Sequence, residues 1–398
     1  MIAAMNRRVA IHLAALCALL SACGDGSSET TADSALRVRV EYPAAYGERR
    51  ARGALVTVEL PGGARTATVG SDGEARFEGV ARGAWVIRAR RSLTAEETLA
   101  LTGHARAVEL TAESSTSASD AGVLTVTLAG PRLGGLVIRE LYYSGSPGVG
   151  GNHYFSDQFV EVYNNSTETI FADGLCVADL HGPAGEINPG TAPTPYSRDA
   201  ENVYAESVWQ VPGSGREHPI APGASLVLAH DGTNHQPFSP LDLSDADWET
   251  YNERTDNRDT DSPTVPNLRR VVFNGGFDWL VPVFGASVVI FRVDDLDALE
   301  RVTVSGLSGR RVKVPTSAVL DAVDALMDAD SGRYKRVPVA LDRSFTHVSG
   351  TYTGESVRRR IVARVAGRAV VQDTDDSASD FETAQPPTPR GVSNITGL

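Results

Sequence analysis

Leu36, Val38, Val40 and Tyr42 alternate with Arg37, Arg39 and Glu41, apolar on one face and charged on the other. Only an extended strand brings residues i, i+2 and i+4 to a common face, so this spacing demands a sheet with one buried side. The alternation returns at Val56, Val58 and Leu60, at Trp85, Ile87 and Ala89, and at Leu124, Val126 and Leu128. Between the runs, Pro61-Gly62-Gly63 and Asp72-Gly73 supply turn chemistry, because glycine takes positive φ at little steric cost. A small antiparallel sandwich over residues 35–131 is expected, with the Ser/Thr-rich stretch Ser114 to Asp120 as a polar loop inside it.

Two strings in this region carry more than periodicity. Ser71-Asp72-Gly73-Glu74-Ala75-Arg76-Phe77, followed by Gly79-Val80-Ala81-Arg82-Gly83-Ala84-Trp85, resembles the hairpin and closing strand of carboxypeptidase-regulatory and collagen-adhesin B-type sandwiches. The resemblance implies a prealbumin-like module used as a spacer or stalk.

A second region opens at Gly135-Leu136-Val137-Ile138-Arg139-Glu140-Leu141-Tyr142-Tyr143 and continues through a glycine-rich loop to Phe159-Val160-Glu161-Val162-Tyr163-Asn164-Asn165. With Asp173-Gly174-Leu175, Ile220 to Leu228, and the late Asp373 to Phe381 and Pro386 to Pro389, it resembles the lamin-tail domain, an immunoglobulin-like sandwich. The string from Tyr142 to Glu168 is also similar to the lipoprotein family of domain of unknown function 4876. Ser239 to Ser244, Pro266-Asn267 and Asp342 to His347 support that likeness. The fold class expected is therefore all-β, with two β-sandwiches, the second spanning 132–398. Two interruptions are expected in it: a polar surface insertion from Ser244 to Asn267, and a helix from Thr316 to Asp328. The helix would put Val319, Leu320, Val323, Leu326 and Met327 on one side.

At the other end, Arg7 and Arg8 precede an uncharged apolar run, Val9 to Leu20, too short to span a bilayer, which needs roughly 20 helical residues. The run ends in Leu20-Ser21-Ala22-Cys23, which resembles the lipobox of bacterial lipoproteins. A signal peptide over 1–22, lipid on Cys23 and a flexible tether over 23–34 are expected, holding the mature protein on a membrane, at the outer membrane of the cell envelope and on the cell surface. An ordinary secretory signal cut nearby would leave Cys23 free.

The formal net charge of −13 argues against nucleic acid as a partner. Cys17 would leave with the signal and Cys23 would be acylated, so Cys176 has no disulfide partner and reads as a buried thiol. No serine elbow, phosphate-binding glycine loop or dinucleotide fingerprint occurs, and no cofactor or metal is expected. His153, His181, His218, His230 and His235 lack a spacing tied to one ligand geometry. The acidic sets Asp256/Asp259/Asp261, Asp328/Asp330 and Asp373/Asp375/Asp376 do not complete a calcium-loop pattern and read as solvated loops.

Five residues stand out as candidate binding residues. Asp157 and Glu161, four apart in a strand-like run, share a face and could hold a cation or do acid–base work, although the lamin-tail likeness places the second acid within the scaffold. Tyr142, Tyr143 and Tyr154, with Phe155, flank the Gly145 to Gly151 loop and either form an aromatic contact surface or cap the core. The expectation is a non-enzymatic, lipid-anchored binding or accessory protein. The family resemblance implies a TonB-dependent outer-membrane transporter as partner. The alternatives are an envelope hydrolase working through Asp157, Glu161 and a loop histidine, and a structural or adhesion element.

Overall fold

The computed structural model describes residues 35–391 except 61, 81–82, 119–121, 182–198, 257, 280 and 305. The signal segment, Cys23 and the tether lie outside the described residues. The chain is all-β in class. Strands β1 (Leu36–Glu41), β2 (Leu55–Leu60), β3 (Gly63–Thr68), β4 (Glu74–Phe77), β5 (Gly83–Leu93), β6 (Val108–Ala118) and β7 (Val123–Thr127) make two sheets, ordered β4-β1-β7 and β3-β2-β5-β6. Leu36, Val38, Val40, Val56, Val58, Trp85, Ile87, Ala89 and Val126 all enter their common core, so the period-two residues are the buried ones. Of the stretch expected as a Ser/Thr loop, Ser114 to Ala118 are instead the end of β6, which pairs with β5 from Val108 through Ala118, and the remainder lies outside the described residues. Threonine suits an extended chain, so a Ser/Thr-rich run need not be a break.

One short helix, α1 (Ala95–Thr102), interrupts this module. Thr94 and Glu97 form a reciprocal capping box at its start, and Gly103 ends it at φ 79°. Gly103 is doubly required, because a Cβ there would sit 2.6 Å from Val370 Cγ2. Arg368 closes the same junction by donating to the Thr102 carbonyl at 2.7 Å, and His104 Nε2 lies 2.9 Å from the Asn165 carbonyl.

The second region contributes β8 (Leu136–Tyr142), β9 (Phe159–Asn164), β10 (Ile170–Phe171), β11 (Cys176–Leu180), β12 (Asn202–Gln210), β13 (Pro219–Ile220), β14 (Ser225–Ala229), β15 (Trp248–Glu249) and β16 (Arg269–Val272). It continues with β17 (Gly285–Phe291), β18 (Arg301–Val302), β19 (Arg311–Pro315), β20 (Val319–Leu326), β21 (Thr346–His347), β22 (Ser356–Arg359), β23 (Ile361–Val365), β24 (Arg368–Val371) and β25 (Phe381–Ala384). A six-stranded sheet, β15-β14-β9-β8-β22-β25, faces an eight-stranded one, β18-β19-β12-β11-β17-β20-β21 with β16 on β12. Ile138, Val160, Val162 and Leu228 from the first meet Val177, Trp209, Val288, Ile290 and Val323 from the second.

Each of these sheets is also covered on its outer face. Cys176, Ala178, Val289, Phe291, Val312 and Val314 pack under Leu296 and Val337. Tyr142, Phe159, Val227 and Ala229 pack under Leu241, Leu243, Ala246 and Val265, and Val137 and Tyr163 pack under the β23–β24 hairpin. Double coverage explains why β8, β9 and β17 are buried along their whole length. It also overturns the surface insertion expected at Ser244 to Asn267. That segment supplies β15, which runs parallel to β14, and buries Trp248, Glu249, Thr250, Asn252 and Val265.

The helix expected from Thr316 to Asp328 is a strand. After a single 3₁₀ turn at Thr316–Ala318, β20 pairs antiparallel with β17 from Val319 to Leu326. Val323 and Ala325 enter the inter-sheet core and Ala322 the outer one, whereas Leu320 is exposed. A strand buried on both faces carries apolar residues without strict alternation, and such a run mimics helical spacing.

Asp321 of β20 points across the gap between the sheets. Its two oxygens accept from Arg359 Nη2 at 2.7 and 2.8 Å and one of them from the Ile138 amide at 2.6 Å, while Arg359 Nη1 reaches Asp380 at 3.1 Å. Arg359 is 2% exposed at its side chain. Burial pushes the Asp321 carboxyl up, and Arg359 pulls it back. Removing the cation strands buried carboxylates, a loss of about 3–5 kcal/mol. Arg359→Met should lower unfolding free energy by about that amount, read from urea denaturation, whereas Arg358→Met, on the part-buried neighbour, should cost far less.

Candidate functional site

The connection from β16 to β17 reads Phe273-Asn274-Gly275-Gly276-Phe277-Asp278-Trp279 and then Val281 to Phe284. It is held from several directions. Trp279 packs 6.3 Å from Trp209 and donates its indole N–H to Asp179 Oδ1 at 2.7 Å. The Gln158 amide donates to the Tyr143 and Val281 carbonyls at 2.6 and 2.9 Å, and its oxygen accepts from the Val281 amide at 3.1 Å. Asn274 donates to the Glu206 and Arg310 carbonyls, and Asn252 to that of Phe277.

This loop encloses a cavity of about 310 Å³. Its walls include six aromatic rings, from Phe155, Phe273, Phe277, Trp279, Phe284 and Tyr352. Gln158, Asp179, Glu206, Ser207, Asp278 and Arg336 supply polar groups to the same space. Apolar walls with a few fixed polar groups are the usual character of small-molecule sites. Tyr352 takes φ 54°, a left-handed conformation costing a non-glycine residue about 1 kcal/mol or more. Its amide donates to the Ser144 carbonyl at 2.6 Å and its ring stacks on His153 at 3.9 Å.

The polar groups differ in charge state. Burial pushes the Asp179 carboxyl up to about 6, against the Trp279 hydrogen bond. Glu206 is also desolvated, yet His181 and Arg311 together hold it below the usual glutamate value. Burial pulls the Arg336 guanidinium down, opposed by Asp324, Asp179 and Glu206.

The residues singled out from sequence fall mostly elsewhere. Tyr142 and Tyr143 are interior, 1% and 0% exposed, so they form no contact surface. The Tyr143 hydroxyl donates to the Leu326 carbonyl and accepts from the Val348 amide, while that of Tyr142 bonds to Ser146 and Asp157. Tyr154 is half-buried, stacked on exposed Phe238 and bonded to His235 Nδ1 at 2.8 Å. Phe155, from the same aromatic group, does reach the cavity. Asp157 and Glu161 occupy separate pockets. Asp157 accepts from Ser146 at 2.7 Å and from Tyr142, and burial raises its carboxyl. Glu161 is wholly buried against Arg139 at 2.5 Å and takes a further bond from Ser225.

The histidines do not converge. His235 uses both ring nitrogens, on Tyr154 and on the Asp231 carbonyl at 3.0 Å. His230 is fully buried beside Trp279, and burial pulls its imidazole down to about 3. The Cys176 thiol is buried and pushed up to about 12, chiefly by desolvation.

Among the described residues, two sets of three ligating side chains come together. The first joins Asp173, Glu217 and His218, but Asp173 is already occupied by the amides of Gly215, Glu217 and His218 at 2.9–3.1 Å. Those bonds outweigh desolvation and hold its carboxyl down at about 2. The second joins Asp231, Asp259 and Asp278, with one oxygen of each within 4.8 Å of the others. Burial raises all three; repulsion within the cluster adds to it at Asp231 and Asp278, whereas at Asp259 the Asn252 amide, Arg254 and Arg270 oppose it. Asp259 was visible in sequence as part of an acidic run. Asp231 and Asp278, in other loops, gave no such signal, and neither did the cavity, although the aromatic and glycine-rich Phe273 to Trp279 stretch carries its composition.

Asp173→Asn should destabilise the protein at neutral pH. The Asp173 contribution is complete above about 4, where the unfolded carboxyl is ionised, and is lost as pH falls through about 2, so wild-type and variant unfolding curves should converge in strong acid.

Comparison with known proteins locates this architecture. Residues 221–388 match the family model described as Protein of unknown function (DUF4876). Among the sequence strings, Ser239 to Ser244, Pro266-Asn267 and Asp342 to His347 fall inside that match. No curated protein matches. A DUF4876 family protein from Bacteroides thetaiotaomicron VPI-5482 has a crystal structure that superposes with a TM-score of 0.59 at 24% identity, over 87% of this chain and 94% of that one. A protein from Bacteroides eggerthii DSM 20697, provisionally described as a cell adhesion protein, aligns over 90% of this chain and 96% of that one, at 12% identity and a TM-score of 0.19. The sequence likeness to that family thus falls on residues 221–388, and the fold of the chain is similar to that of a DUF4876 family protein.

Proposed function

We propose that this is a lipid-anchored binding protein of the cell envelope, which takes a small, flat, largely apolar ligand into the cavity under the Phe273–Phe284 loop. The aromatic-walled cavity carries this reading. Six rings offer stacking area, and Asp179 and Arg336 offer a donor–acceptor pair for the polar end of a ligand. We read the protein as non-enzymatic, because the two carboxylates that hydrolysis would use are engaged inside the scaffold. Asp157 is closed off from solvent, Glu161 is tied to Arg139, and neither His230 nor His235 offers a free ring nitrogen at an open surface. Lipid on Cys23 would hold the module at the outer membrane, where a TonB-dependent transporter is the proposed partner receiving the ligand.

A fluorescent aromatic anion, 1-anilinonaphthalene-8-sulfonate, should bind the folded protein saturably and quench tryptophan emission through Trp279. Phe155→Ala should weaken that binding about tenfold, the loss of roughly 1.4 kcal/mol of stacking. Unsaturable binding, or equal affinity in the variant, would count against a cavity ligand. Anchoring and partnership are tested together in detergent extracts of cells. Wild-type protein should partition with membranes and co-purify a transporter, Cys23→Ala should be released to the soluble fraction, and isolation of the wild type alone would remove the partner.

A further inference from the structure

We propose that Asp231, Asp259 and Asp278 bind one hard, oxygen-seeking divalent cation, which pins the cavity loop to the two loops beside it. The three carboxylates come from three separate connections. Asp231 follows β14, Asp259 lies between β15 and β16, and Asp278 sits in the cavity loop itself.

Each carboxylate is oriented by one protein donor that leaves an oxygen over. Asp259 Oδ2 accepts from the Asn252 amide at 2.7 Å, Asp278 is bonded by the Trp279 amide, and Asp231 by the Ser156 hydroxyl. Oδ1 of Asp259 and Oδ1 of Asp278 have no hydrogen-bond partner, although the residues are only 3% and 4% exposed. A buried carboxylate oxygen without a donor costs free energy unless a cation or proton meets it.

No protein cation does so. Among the described residues, no Lys, Arg or His makes an ion pair with any of the three. The nearest guanidiniums are spent elsewhere, Arg254 on Asp256 and the Gly276 carbonyl, Arg270 on Asn252. Glu249 deepens the negative potential without competing as a ligand, because the Gly232 and Ser262 amides occupy its two oxygens.

The donor set selects the ion. Three carboxylate oxygens without nitrogen or sulfur suit calcium, magnesium or manganese rather than zinc or copper. Calcium–oxygen bonds of about 2.3–2.6 Å place two ligands of one ion no more than about 5 Å apart, which the cluster satisfies. This inference is independent of a ligand in the cavity.

The test uses the mature protein stripped with chelator and titrated calorimetrically with calcium, magnesium and manganese chlorides, with Tm recorded at each end point. One equivalent of ion should bind and raise Tm by several degrees. Asp278→Asn and Asp231→Asn should each weaken binding at least tenfold, whereas Asp256→Asn, a neighbouring acid outside the cluster, should not. Binding of magnesium or manganese alone would still support the site. Absence of heat and of any Tm change in the wild type with all three ions would overturn it, and so would full binding by both cluster variants. If Asp278→Asn does not fold, Asp231→Asn and the wild-type titration decide the matter. Dye binding with and without ion separates failure here from failure of the cavity reading.

Discussion

The contact between Asp321 and Arg359 crosses the gap between the two large sheets and fixes one against the other. A buried ion pair of this kind adds little net stability over well-packed apolar residues, because both charges lose hydration. Its value is in selecting an arrangement. A sheet slipped by one residue would leave Asp321, Arg359 and Asp380 desolvated and unpaired, so the alternatives are penalised more than the native packing is favoured. Asp324, on the opposite face of the same strand, repeats the device outward with Lys335. A single strand therefore carries two acids that bind it to layers on both sides.

With the sheets fixed, the loop from Phe273 to Phe284 acquires its shape. Gln158 stands just before β9 of one sheet and Asp179 on β11 of the other, and both hold this loop. The cavity is thus built by contacts to two sheets at once rather than by a self-contained loop. The left-handed Tyr352 and the orphan carboxylate oxygens lie around the same region, so several unfavourable local choices concentrate there. Local conflict that the scaffold sustains in one place is a frequent mark of a functional site.

Strands with one wet face were legible. Leu36, Val38 and Val40, or Trp85, Ile87 and Ala89, announce themselves because a period of two has no helical explanation. Strands covered on both faces were not. Val319 to Leu326 has apolar residues at three- and four-residue spacing, and only its pairing with β17 shows it to be extended. Ser244 to Asn267 read as solvated because Asp, Asn and Thr dominate it, yet Ala246 and Val265 draw it onto the outer face of the six-stranded sheet and Trp248 enters the inter-sheet core. The candidate site was still less visible. Tyr142 and Tyr143 are prominent in sequence and structural in place, whereas Asp179, Trp279 and Arg336 are ordinary in sequence and meet only after folding.

The sequence by itself determined an all-β chain, the alternating strands of the first module, the interior position of Cys176 and a net negative charge. These follow from local periodicity and composition, which act over a few residues or over the whole chain. Tertiary structure alone decided which apolar runs lie between two layers, which tyrosines face inward, and which three aspartates share one pocket. Those outcomes depend on contacts between segments far apart in the chain, and a residue's own neighbours in sequence carry no record of them.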